Sequence, residues 1–189
     1  MTRASDTARL IGAGATINDG TTITTDDNTD QLTLISTDAD ASTGPLLVLN
    51  RDSASPADGD VLGVLQFKGD DDAGNNRSYV QVQTKINDAS NGTLDGEMEI
   101  LTLVGDNSRS RIELLPTETV FNEDNIDLDF RVEANGFNNA IFIRGSDGVI
   151  MVNKNNDGSS VTGCAFSNSG NHFSRADGSV CLFNRQSND

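Results

Sequence analysis

The chain has 189 residues, of which 29 are acidic and 13 basic, so its net charge at pH 7 is −16. Asp, Asn, Gly, Ser and Thr fill half of the sequence, yet Leu, Ile, Val and Phe still make up more than the roughly 20% below which a charged chain stays disordered. We therefore expect a folded protein with a thin core. The acidity argues against nucleic acid as a partner. The lack of a long apolar run, or of a signal segment after Met1, argues against membrane insertion and signal-driven export.

The distribution of turn residues predicts an all-β chain with one short helix near its start. Ser5 is placed to cap a helix over residues 6–11. Beyond it, eight Asx-Gly dipeptides divide the chain, and such dipeptides favour tight turns because both residues tolerate a positive φ. The short segments between them have the alternation or β-branched content of strands. The predicted strands are residues 32–35, 46–49, 61–67, 78–86, 97–104, 110–115, 118–121, 126–133, 139–144, 149–152, 161–166 and 179–183.

Two of these segments predict sheets with one apolar and one solvated face. In residues 79–86, the apolar residues Val80, Val82 and Ile86 alternate with glutamine and lysine. Residues 127–133 repeat the pattern, with apolar residues alternating with charged ones. Alternation of this kind is typical of antiparallel sheets that meet water on one side.

Composition predicts three parts of the chain. Residues 1–45 are rich in Thr, Asp and Gly and hold too few apolar groups for a core of their own, so we expect an extended stem. Residues 46–121 carry the densest apolar strands and predict a small β-sandwich-like module. Residues 122–189 return to short strands and predict a second β module. Because residues 47–53 and 181–187 share Asn-Arg-x-Ser after an apolar strand, this last part is interpreted as a truncated copy of a repeat.

Three segments carry a resemblance to a known family. The first runs from residue 46 through Asp-Gly-Asp at residues 58–60 to residue 70, and the second runs from residue 126 through the DFRVE sequence at residues 129–133 and Asn-Gly to residues 149–152. The third is the opening, residues 2–11. Together they resemble modules of tail fibres and other virion appendages of tailed bacteriophages, especially marine and cyanobacterial ones. In this chain, residues 150–152 read Ile-Met-Val, where the family usually has Gly-Ile-Gly.

The resemblance implies an elongated homotrimer with an N-terminal stem followed by small β-sandwich or β-meander modules. The implied partners are two identical subunits, tail or neck proteins of the virion, and a host surface molecule reached through a distal region. The implied location is the virion tail, after assembly in the host cytoplasm. Trimerisation also suits the composition, because three chains together can bury isolated apolar residues that one chain leaves in water.

Two sets of residues follow as candidates for these contacts. Near the start, basic and apolar side chains lie side by side, and we expect this segment to dock on the virion through Arg3, Arg9, Leu10 and Ile11. Within the stem, we expect isolated apolar residues to line the trimer axis. These residues are Ile17, Ile23, Leu32 and Leu34.

Three acidic or amide-rich segments are candidate cation sites: residues 26–30, 70–72 and 153–158. The last begins like a calcium loop, but its twelfth position is Cys164, where such a loop needs a bidentate carboxylate. We therefore interpret all three as solvated turns and expect no metal and no cofactor.

The remaining reactive side chains do not predict catalysis. Cys164 and Cys181 lie in apolar predicted strands and are expected to be free thiols, with a disulfide between them as the alternative. His172 is the only histidine, and the chain lacks a Gly-x-Ser-x-Gly nucleophile motif. We therefore expect no catalytic residues and no enzymatic activity.

Taken together, the sequence favours a virion structural protein, the N-terminal part of a trimeric phage tail fibre that attaches to the particle and carries host-recognition elements. The first alternative is a capsid-decorating or head-fibre protein, which would differ mainly in where it docks. The second is a polysaccharide-degrading tailspike, which would need a carboxylate pair beside a sugar-sized groove.

Overall fold

The structure of the protein is a computed structural model that describes residues 20–158, 160–168 and 170–175. These residues form ten strands and no helix, which confirms the all-β prediction. The predicted helix at residues 6–11 and the predicted strand at residues 179–183 lie outside the described residues. The strands are β1 (Val61–Asp70), β2 (Asn76–Asp88), β3 (Asp95–Val104), β4 (Asn107–Leu114), β5 (Thr119–Phe121), β6 (Phe130–Ala134), β7 (Phe137–Ile143), β8 (Ile150–Val152), β9 (Gly163–Phe166) and β10 (His172–Ser174).

The chain divides into two compact units, Met1–Val48 and Leu49–Asp189. All ten strands belong to the second unit. Residues 20–60 contain no strand, so the strands predicted at residues 32–35 and 46–49 are wrong. The proposed division at residues 45 and 121 stays a prediction.

Side-chain hydrogen bonds engage backbone donors in parts of the segment before β1. The carboxylate of Asp27 accepts a hydrogen bond from the amide of Thr29 at 3.0 Å, and that of Asp40 accepts one from the amide of Ser42 at 2.7 Å. Such side-chain bonds compete with a strand ladder for backbone donors. Within the described residues, no neighbouring strand supplies partners to residues 32–35 or 46–49.

The ten strands form two five-stranded sheets in which each strand pairs antiparallel with the next one along the chain. The first sheet contains β1 to β5 and the second contains β6 to β10. Both sheets are therefore meanders, each a single layer of strands. The described part of the chain contains no helix of the length and hydropathy needed to cross a membrane.

Two-residue turns set the register of two hairpins. Between β3 and β4, Gly105 and Asp106 both have a positive φ, 53° and 62°, as a type I′ turn requires. Between β6 and β7 lies the predicted Asn135-Gly136 turn, in which Gly136 has a φ of 82°. The dipeptide at residues 95–96 is an exception, because it begins β3 instead of forming a turn.

The connection between the sheets is held by side chains. The amide group of Asn122 donates to the carbonyl of Ile126 at 2.9 Å and accepts from its N–H at 3.3 Å. Further along, Asp129 accepts a hydrogen bond from the amide of Gly145 at 2.9 Å. Because these bonds stabilise an irregular connection, the strand predicted at residues 126–133 begins only at residue 130.

Gly145 is the point where this connection packs against the second sheet. A Cβ atom added to Gly145 would lie 2.2 Å from the backbone nitrogen of Leu128. Only a glycine therefore allows residue 128 to approach this closely.

The buried apolar core of the described residues is small. It consists of Val149, Met151 and Ala165, with Phe142 packed against it. All four belong to the second sheet or its turns, and the first sheet contributes no buried apolar side chain. A single chain thus has the thin core that its composition predicts.

Candidate functional site

Strand register places five apolar side chains side by side across the whole first sheet. Directly paired residues of antiparallel strands have their side chains on the same face. Each pair in this set shares a residue with the next pair, so the pairs form one continuous row. We call it row A, and it consists of Leu65, Val82, Ile100, Ile112 and Phe121.

The second sheet carries two rows of the same kind on one of its faces. On each of the strands β6 to β9, the residue in one row and the residue in the other are two positions apart. Row B consists of Phe130, Ile143, Ile150 and Phe166. Row C consists of Val132, Ile141, Val152, Cys164 and Phe173.

Rows A and B meet at the junction of the two sheets. The ring centroids of Phe121, the last residue of row A, and Phe130, the first residue of row B, are 5.1 Å apart. Beside this contact lies a crevice of about 550 Å³, lined in part by Ile112 and Ile143 from the same two rows. Rows A, B and C therefore form one continuous set, which we call the apolar surface.

The apolar surface is half exposed in the single chain. Leu65 and Phe121 are 46% and 52% exposed, and Ile141 is 43% exposed, whereas Met151 on the opposite face of the second sheet is fully buried. None of the residues of rows A to C is charged. A contiguous set of apolar, half-exposed side chains on a chain with a net charge of −16 marks a candidate interaction surface.

The opposite face of the first sheet is charged. Nζ of Lys85 lies 2.5 Å from a carboxylate oxygen of Glu97 and 3.8 Å from one of Glu99. Glu99 pairs directly with Glu113 on the next strand, so two like charges face each other. The hydrogen bond that Lys85 donates to Glu97 raises the pKa of Lys85, whereas burial and then repulsion from the neighbouring glutamates raise the pKa of Glu113. This face is suited to contact with water.

The opposite face of the second sheet contains the small core and a buried lysine. Lys154 is only 2% exposed, and its Nζ donates to the carbonyl of Gly158 at 2.9 Å and to the hydroxyl of Ser174 at 3.3 Å. That hydroxyl in turn donates to the carbonyl of Val161. The lysine thus ties the connection between β8 and β9 to β10.

The residues that the sequence proposed for docking and trimer contacts fall into two groups. Those outside the described residues are Arg3, Arg9, Leu10, Ile11 and Ile17. Those described are Ile23, Leu32 and Leu34, which are exposed by 53%, 64% and 48%. Their roles at the virion and at the trimer axis stay predictions.

Rows A to C were missed as a candidate site. The alternation of Val80 and Val82 with glutamine did predict one apolar face, and the register confirms it. A one-strand pattern does not show which residues of other strands lie beside it. Extending the pairing outward from the Gly105-Asp106 turn would have placed Ile100 opposite Arg111, because the bulge after Ile100 shifts the register by one residue.

The acidic segments contain internal hydrogen bonds. Asp71 accepts hydrogen bonds from the amides of Ala73 and Asn75 at 3.0 and 2.8 Å and from Nε of Arg77 at 3.2 Å, which lowers its pKa to about 2. In the described residues, no group of three or more His, Cys, Asp or Glu side chains is arranged to hold a metal ion.

The other candidate side chains are partly described. Cys164 is a free thiol, as expected, and belongs to row C. Cys181 lies outside the described residues. The backbone of His172 pairs with Ala165 at the start of β10.

Comparison with protein-family models, with curated proteins and with solved structures finds no match to this chain.

Proposed function

We propose that the protein is a non-enzymatic structural component of a tailed-phage virion, the N-terminal part of a tail fibre that works as a homotrimer. The observation that carries the proposal is the shortage of buried apolar residues in a folded chain that exposes an uncharged surface across two sheets. A single-layer meander of this kind needs a covering layer to be stable. Two identical subunits supply it without any further protein.

The segments that resemble phage fibres support the same proposal. Residues 46–70 lead into β1, and residues 126–152 cover β6 to β8, so both resembling segments contribute strands to the two meanders. In the proposed role, the segment containing Arg3, Arg9, Leu10 and Ile11 docks on a tail or neck protein. The sheets then carry a distal region that contacts the host surface, and the assembled protein is located in the virion tail.

The subunit number is the first test of the proposal. Sedimentation equilibrium of the purified full chain is expected to give three times the chain mass of 20.0 kDa at micromolar concentration. A mass of 20.0 kDa that does not change with concentration would contradict the proposal.

Incorporation into particles is the second test. Deletion of residues 1–15 from the gene in the phage that encodes it is expected to remove the protein from purified particles, while the shortened protein remains a trimer. Removal of residues 176–189 from the other end serves as a control of nearly equal length and is expected to leave incorporation intact. If the protein lacking residues 1–15 still enters particles, the proposed docking segment is wrong.

A further inference from the structure

We infer that the apolar surface formed by rows A, B and C is buried against the same surface of identical copies, so that the contact between subunits runs along both sheets. This inference rests on the proposed homotrimer and names the surface that builds it. It extends the sequence prediction, which assigned the trimer contact to Ile17, Ile23, Leu32 and Leu34 alone.

The two sheet faces that carry rows A to C together have the dimensions of a stable subunit interface. Five strands spaced by about 4.8 Å span roughly 19 Å, and ten-residue strands extend about 33 Å, so the first sheet offers about 600 Å² in projection. The shorter strands of the second sheet add roughly 300 Å². The total is close to the ~800 Å² that each partner buries in a stable protein interface.

The two terminal segments of the sequence that lie outside the described residues are each too short to cover this surface. Residues 1–19 and 176–189 lie outside the described residues, and each segment could add one or two strands at most. A pair of strands covers about 10 Å of the roughly 19 Å width of one sheet. An identical sheet has the required width, because it carries the same rows at the same spacing.

The charge distribution of the protein also favours an identical copy as the partner that covers the apolar surface. Two molecules with a net charge of −16 repel each other over most of their surfaces. Rows A to C contain no charged side chain, whereas the opposite face of the first sheet carries Glu97, Glu99 and Glu113. Contact through the apolar surface leaves those carboxylates in water on the outside of the assembly. Permanent contacts between identical subunits are also the most apolar class of interface.

Paired lysine substitutions test which face is buried. Leu65→Lys places a charge in row A, whereas Gln66→Lys places the same charge on the opposite face of the same strand, where Gln66 bonds to Gln81. In the second sheet, Ile141→Lys alters row C, and Glu133→Lys alters the opposite face of the neighbouring strand β6, where Glu133 forms an ion pair with Arg131. The mass by sedimentation is expected to fall threefold in Leu65→Lys and Ile141→Lys and to stay unchanged in the two controls.

The outcomes separate this inference from the proposed function. If the unaltered chain is a monomer, both fail together. If the unaltered chain is a trimer and the two row variants remain trimers, only the inference is wrong. It is also overturned if either control variant dissociates.

A cross-linking measurement covers the case in which the lysine variants do not fold. In a chain with both native cysteines replaced by alanine, Leu65→Cys is expected to give cross-linked subunits with a short bis-maleimide reagent, and Gln66→Cys is expected to give none. The reverse pattern, or equal cross-linking of both variants, would overturn the inference even if no lysine variant could be purified.

Discussion

The ring of Phe121 lies against the ring of Phe130, with centroids 5.1 Å apart and planes at 59°, and this contact joins the last strand of the first sheet to the first strand of the second. We expect the two residues to be coupled in stability by about 0.5–1.5 kcal/mol, the usual range for a tilted aromatic pair. A double-mutant cycle with Phe121→Leu and Phe130→Leu, followed by urea unfolding at one fixed subunit concentration, measures the coupling.

The control for that cycle is a pair of phenylalanines that do not touch. Phe166 packs against Phe173 within the second sheet instead of against Phe121. The cycle of Phe121→Leu with Phe166→Leu is therefore expected to give a coupling near zero. Equal coupling in both cycles would show that the Phe121–Phe130 contact has no specific role.

Gly145 offers a test of how tightly the connection packs against the second sheet. Gly145→Ala forces a methyl group against the backbone of residue 128, and overpacking of this kind lowers the free energy of unfolding by about 1–3 kcal/mol. Gly96→Ala is the matched control, because a Cβ atom there meets nothing within 4 Å and its φ is negative or extended. Urea unfolding compares the two variants. A loss of equal size in both would contradict the packing at Gly145.

Glu113 predicts how stability depends on pH. Its pKa is raised in the folded protein by burial and by Glu97, Glu99 and Glu123, with Lys85 acting in the opposite direction. A raised carboxyl pKa means that the ionised group destabilises the fold, and that the cost is relieved as the pH falls through the raised value towards the ordinary value of 4.5.

Glu113→Gln is therefore expected to raise the free energy of unfolding at pH 7 by about 0.2–1 kcal/mol, the range for a cross-strand pair. The gain should disappear below pH 4.5, where the unfolded carboxyl is also protonated. Urea titrations at pH 4 and pH 7 measure it, with the exposed Glu118→Gln as the control. A gain that persists at pH 4 would rule out electrostatic repulsion as its cause.

Asp71 predicts the opposite dependence in the loop between β1 and β2. Its pKa is lowered to about 2 by hydrogen bonds from Asn75, Arg77 and Ala73. The contribution of the ionised carboxylate is present above the ordinary value of 3.8 and is lost as the pH falls through about 2.

Amide chemical shifts of Ala73 and Asn75 are expected to report this titration with a midpoint near 2, since both amides donate to Asp71. In Asp71→Asn, the same shifts should not titrate in this range. A midpoint near 3.8 in the unaltered protein would contradict the hydrogen bonds that define the loop.

Local sequence signals predicted most of the strands. Predicted strands at residues 61–67, 78–86 and 97–104 coincide with β1, β2 and β3, because alternation and turn residues both act over a few neighbouring positions. Strand β10 was missed, since residues 172–174 contain a single apolar residue and owe their conformation to pairing with β9. The strand at residues 46–49 was predicted wrongly, because apolar content favours a strand only where a partner is available.

The candidate surface was harder to predict than the fold. The alternation in its own strand predicts that Val82 lies on an apolar face. Its place in one row with Leu65 and Phe121 follows only from four successive strand registers. Four irregularities shift those registers without an obvious signal in the sequence, among them those after Phe67 and after Ile100. The stem residues were proposed as the subunit contact instead, because isolated apolar residues among polar ones can be recognised in the sequence without knowing how the strands pair.

The order of the strands has a consequence for biosynthesis. Because each strand within a sheet pairs with its immediate neighbour along the chain, each hairpin can close as soon as its second strand leaves the ribosome, without waiting for the end of the chain. Nascent chains on one messenger would then hold partly formed sheets near one another. We expect the encounter between those chains, rather than the pairing of strands within one of them, to limit how fast mature protein accumulates, so that its yield rises more steeply than the amount of messenger.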